Sequence, residues 1–193
     1  MSLNDTGKNI ANACKIVFET CANVERLIAF LNEQAAEKEE YAPCTLKPLR
    51  FRGDSAFNDE AIFIFQKKRE EKSLYVVNIS LWGNVNDDET DEAKIYLSKF
   101  EYANTLNLKQ EPILKSNYYQ FADPIYESGE IVNLKFDGEY YKGSVRGKTQ
   151  ADEDYRGLRR VVGFSIPLTS ITADNAYSEI FGGFDKLAKK CRT

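Results

Sequence analysis

Within the first forty positions, Ile10, Cys14, Val17, Cys21, Val24, Ile28, Leu31 and Ala35 recur at spacings of 4-3-4-3-4-3-4. That unbroken heptad stripe keeps one face of a helix apolar and has no counterpart in a strand, whose faces alternate every second residue. It predicts an amphipathic helix over residues 5–39. Ala11, Phe18 and Leu27 widen the stripe, which suits a helix lying against a sheet better than a narrow two-stranded seam. Glu19, Glu25, Arg26, Glu33, Glu37 and Lys38 fall off it. Two roles follow for the stripe: core of its own domain, with Ile10, Val17, Val24, Ile28 and Leu31 on a sheet, or the seam of a homodimer.

The period then changes. Residues 41–52 contain Pro43 and Pro48 and read as a linker, with a short edge strand at Leu46, Leu49 and Phe51. Strands are predicted at 61–67 and 73–82, joined as a hairpin by the polar run 68–72. In the second, Tyr75, Val77, Ile79 and Leu81 lie on one face and Val76 and Trp82 on the other, as in a central strand covered on both sides. Residues 93–102 fit helix and strand alike, and the strand reading is preferred. The stretch 104–128 has little periodicity and reads as loop.

A hairpin over 130–145 is expected to turn at Asp137-Gly138, a favoured type I′ pair. A last strand at 161–168 stops near Pro167. Thr172 or Asp174 then caps a helix to about residue 190, with Gly182 and Gly183 as the place for a kink or split. The whole predicts one α+β domain over residues 1–193. Helix 5–39 and helix 172–190 pack a mostly antiparallel sheet of five to six strands in a body spanning 46–168.

Chemistry is bounded mainly by absence. The chain has no histidine. That removes Ser-His-Asp and Cys-His nucleophilic systems, HExxH zinc sites and His-ligated haem. Cys14, Cys21, Cys44 and Cys191 are too few and scattered for a disulfide scaffold. Cys14 and Cys21 lie two helical turns apart, about 10 Å, too far to bridge within one straight helix. No CxxC occurs, and no cofactor is expected. The formal charge of −4 gives no global attraction to nucleic acid or acidic membranes, so neither is an expected partner. No apolar run is long enough to span a bilayer and no targeting pattern is evident, so the expected location is the cytoplasm.

Three functional readings compete. The first is a non-enzymatic protein-binding or regulatory domain, its partner docked on Tyr141, Arg146, Tyr155, Arg156, Arg159 and Arg160. Aromatic area interleaved with guanidinium forks suits an acidic protein surface. The second is a metal-dependent phosphodiesterase or nuclease. Its acids would be Asp59 (or Asp54) and Glu92, with Lys94 near the attacked phosphate, and it requires residues 93–102 to form a strand beside 61–67. The third is a small-molecule sensor with a cavity between the long helix and the sheet. The acidic loop Asp87, Asp88, Glu89, Asp91 and Glu92 lacks the alternating ligands and glycine of an EF-hand. Arg52-Gly53-Asp54 is read as a charged turn, and no GxGxxG or P-loop pattern is present.

Overall fold

The computed structural model describes residues 3–44, 60–81, 92–106, 121, 132–137, 139–145 and 157–191. Helix α1 runs Leu3–Lys38. Glu39, in the left-handed region at φ 53°, ends it and turns the chain into β1, Tyr41–Pro43. β2 (Glu60–Lys67) and β3 (Ser73–Ser80) form the expected hairpin. β4 (Lys94–Tyr102) resolves the ambiguous segment as a strand. β5 (Val132–Asp137), β6 (Tyr140–Val145) and β7 (Leu158–Pro167) complete the sheet. A 3-10 turn at Leu168–Ser170 leads to α2, Ala176–Lys190.

The sheet is antiparallel throughout, in the order β1-β2-β3-β4-β7-β6-β5. Six strands have six or more residues, and the three-residue β1 pairs with the end of β2 at one edge. This is the α+β class the periodicities imply. β3 is buried along its whole length, as its apolar residues on both faces require. One face carries Phe63, Phe65, Tyr75, Val77, Ile79, Ile95 and Leu97 against α2 and the C-terminal part of α1. The other gathers Ile62, Ile64, Leu74, Val76, Phe100, Tyr141 and Val161, with Phe121 edge-on to Phe100 at 5.5 Å.

Three local expectations are corrected. Asp137 is still in β5 and pairs with Tyr140, so it is not the first residue of the turn. The N-cap of α2 is Asn175, not Thr172 or Asp174. Its amide ties the preceding turn together, accepting from Thr172 N and donating to Ser170 O. The Gly182-Gly183 pair does not break α2. A Cβ at Gly183 would lie 2.6 Å from Leu97 Cδ1, so the bare backbone lets the helix sit close on the sheet. The proposed edge strand at 46–51 lies outside the described residues.

Candidate functional site

Of the Tyr/Arg constellation, Tyr141, Arg159 and Arg160 are among the described residues. Tyr141 is only 4% exposed. Its ring crosses Gly163 of β7, and its hydroxyl shares a hydrogen bond of 2.6 Å with Ser98 Oγ on β4. A side chain at position 163 would strike that ring and come within 2.5 Å of Leu97 O. Burial pushes the Tyr141 phenol well above its usual range, although the Ser98 hydrogen bond works against it. Tyr141 is therefore core and offers no contact area to a partner.

Arg160 is half-exposed but already paired. Its Nε donates to Glu101 Oε2 at 2.7 Å and its Nη2 to Cys191 O at 2.9 Å, tying β7 to β4 and to the end of α2. The Glu101 hydrogen bond, more than burial opposes, holds its guanidinium charge firmly. Arg159 is half-buried, with Nη1 3.5 Å from Leu158 O. Arg146, Tyr155 and Arg156 lie outside the described residues.

Glu101 belongs to a wider ionic lattice. Lys99, buried on β4, reaches Glu70 at 2.9 Å and Glu101 at 3.4 Å, and Tyr75 Oη donates to Glu70 at 2.8 Å. Burial alone would raise the Glu70 carboxyl, but Lys99 and Tyr75 reverse that and hold it below the usual range. A second group joins Tyr41, Lys67 and Asp185. Lys67 Nζ lies 2.6 Å from Asp185 Oδ1 and 3.1 Å from Tyr41 Oη, and Tyr41 Oη donates to Asp185 at 2.8 Å. Both groups pin α2 or its neighbours to the sheet, and their carboxylates are already answered by lysines. Their arrangement is structural.

The nuclease residues fare differently. Glu92 is exposed and accepts from Thr169 Oγ1 at 3.2 Å, and Lys94 opens β4 opposite Ser80 and Pro167. Asp54 and Asp59 lie outside the described residues. β4 lies between β3 and β7, with β3 separating it from β2, so the neighbouring-strand geometry that this chemistry requires is not formed. Among the described residues no cluster of three or more His, Cys, Asp or Glu is placed to hold a metal ion. Burial pushes the Cys44 thiol up to about 12, so little of it is thiolate near neutral pH.

What the described surface does offer lies along α1. The heptad stripe divides in two. Val24, Ile28, Leu31 and Ala35 are buried in the same core cluster as Tyr75, Val77 and Ile79. N-terminal to them, Val17 is half-buried, and Ile10 (60% exposed) stands off the sheet against expectation. Ile16 and Phe18 are 64% and 73% exposed. C-terminal to this arm, along residues 20–30, a groove of about 510 Å³ runs between α1 and the segment entering α2, lined among others by Thr20, Leu27, Phe30, Leu168 and Ile171. A cavity was expected between helix and sheet; this one sits against residues 168–176 instead. The signal for it was available in the apolar Leu168 and Ile171 just after the strand-ending Pro167, where a plain polar turn needs neither.

Among the described residues no helix is long and apolar enough to cross a membrane. Comparison with known proteins finds no matching family model, no matching curated sequence and no matching solved structure.

Proposed function

We propose that the chain is a non-enzymatic protein-binding domain that engages its partner through the N-terminal half of α1 and the groove beside it. The observation that carries this reading is the apolar groove along residues 20–30 of α1, with the exposed Ile16 one turn N-terminal on the same helix face. An exposed apolar side chain that continues a concave apolar surface, as Ile16 does, marks an interaction site, whereas isolated ones such as Phe18, on the opposite side of the helix, do not. This reading places the partner on α1 rather than on the Tyr/Arg residues because Tyr141 is buried and Arg160 is paired with Glu101.

The test is a diazirine-bearing aliphatic side chain in place of Ile16, photo-activated in the cell that makes the protein. A cross-linked polypeptide mapping to the arm or the groove supports the reading. Recovery of uncross-linked monomer alone refutes it. A small-molecule reading has one observation in its favour, since a groove of about 510 Å³ falls within the usual size of ligand sites. Displacement of an apolar fluorescent dye by a metabolite extract, abolished by Leu27→Glu, would favour it over protein binding.

A further inference from the structure

We infer that the occupant of the groove is the α1 arm of a second copy of this chain, paired antiparallel about a twofold axis between residues 21 and 22. This deepens the protein-binding reading and rests on it.

The face of α1 that lines the groove is self-complementary. Ala13, Ile16, Thr20, Asn23, Leu27 and Phe30 follow one another at spacings of 3-4-3-4-3 and form a single helical stripe. Reversing the direction of that series reproduces it. An antiparallel copy therefore sets Ala13 against Phe30, Ile16 against Leu27, and Thr20 against Asn23, twice each. Size and polarity match in every pair: small faces large, apolar faces apolar, amide faces hydroxyl.

The hydrogen-bonding capacities also fit. Thr20 Oγ1 already donates to Ile16 O at 2.9 Å and keeps lone pairs to accept with. Asn23 Oδ1 is taken by Arg26 Nη1 at 2.9 Å, which leaves its amide hydrogens to donate. Asn23 Nδ2 of each copy thus meets Thr20 Oγ1 of the other. Glu19 and Arg26 flank the stripe on the same side, and a twofold axis sets each against its opposite in the second copy. The other flank of the arm, carrying Ile10 and Val17, then faces Leu168 and Ile171 across the groove. One symmetry operation covers Ile10 and Ile16 and fills the cavity, as an isologous interface requires.

Sedimentation velocity on the full chain tests this up to roughly 100 µM, above the micromolar constants of weak but specific association. The wild type is expected to dimerise. Ile16→Glu is expected to raise the dimer dissociation constant at least tenfold, about 1.4 kcal/mol. Because Ile16 is exposed in the single chain, its circular dichroism and melting temperature at low concentration should not change. Glu19→Arg should also weaken the dimer, and Arg26→Glu in the same chain should restore it. A wild type that stays monomeric overturns the inference, as does a charge swap without rescue. If the photo-cross-link from position 16 then captures a different polypeptide, protein binding stands and self-pairing falls. If it captures nothing, both fall.

Discussion

Replacing Gly163 with alanine should cost far more than a methyl group usually does. The added Cβ meets the Tyr141 ring on one side and Leu97 O at 2.5 Å on the other. Leu97 O is backbone, held in the β4–β7 ladder, so the ring must give way. Overpacking of this kind costs about 1–3 kcal/mol. Displacing the ring also breaks the buried Tyr141–Ser98 hydrogen bond, at about 1–3 kcal/mol. The sum is about 2–6 kcal/mol, or a fall in melting temperature of roughly 4–24 °C for a chain of this length. The assay is thermal and urea unfolding of Gly163→Ala, Tyr141→Ala and the double variant. Once the ring is gone, the alanine at 163 should cost little, so the two losses should not add. Additive losses, or a Gly163→Ala protein as stable as wild type, would refute the packing assigned to Tyr141 and reopen it as a surface residue.

Acid should unfold the protein through its lysine-paired carboxylates. Glu70 and Asp185 are both held below their usual ranges: burial opposes this in each, and Lys99 with Tyr75, or Lys67 with Tyr41, outweighs it. A depressed folded-state pKa gives stability that is present above the unfolded value and lost as pH falls through the folded one. The melting temperature should therefore drop below about pH 4, and Glu70→Gln should flatten that drop; an unchanged profile in the variant would remove Glu70 from the account. Asn78 is fully buried on β3, and neither of its amide atoms has a partner among the described residues. Asn78→Leu, close in shape, should stabilise the fold by about 1–3 kcal/mol in urea unfolding, whereas destabilisation would mean that the amide is bonded. Cys14 is exposed, while burial raises the Cys44 thiol to about 12. At pH 8 a thiol reagent should therefore modify Cys14 faster than Cys44, and equal rates would contradict the raised Cys44 thiol.

The elements were legible because each rests on a local pattern. The heptad stripe gave α1 to within two residues at its start, and short apolar runs gave β2 and β3. What stayed hidden depends on partners distant in sequence. Tyr140 and Tyr141 are adjacent on β6, and one of the two must face inward. Nothing local says that position 163, twenty-two residues on, is the glycine that lets Tyr141 cross to Ser98. Gly182-Gly183 reads as a helix break for the same reason, since its use is the approach to Leu97. The division of the α1 stripe was also beyond periodicity. A helix of 36 residues is about 54 Å long, and strands of eight or nine residues reach about 28 Å. The stripe is apolar throughout, but the sheet covers only part of it, and the palindromic stripe beside it gains meaning only once the groove is seen.

Pulsed dipolar spectroscopy between spin labels at position 8 tests the antiparallel pairing of α1 most directly. The labels are carried on Lys8→Cys in a chain whose four native cysteines are replaced by alanine. A twofold axis between residues 21 and 22 separates the two labelled positions by 27 residues of helix, about 40 Å at 1.5 Å per residue. The account predicts a single narrow distance near that value, lost on Ile16→Glu. A distance under about 20 Å, as in a parallel seam with interaxial spacing near 10 Å, or no dipolar coupling at all, would contradict it.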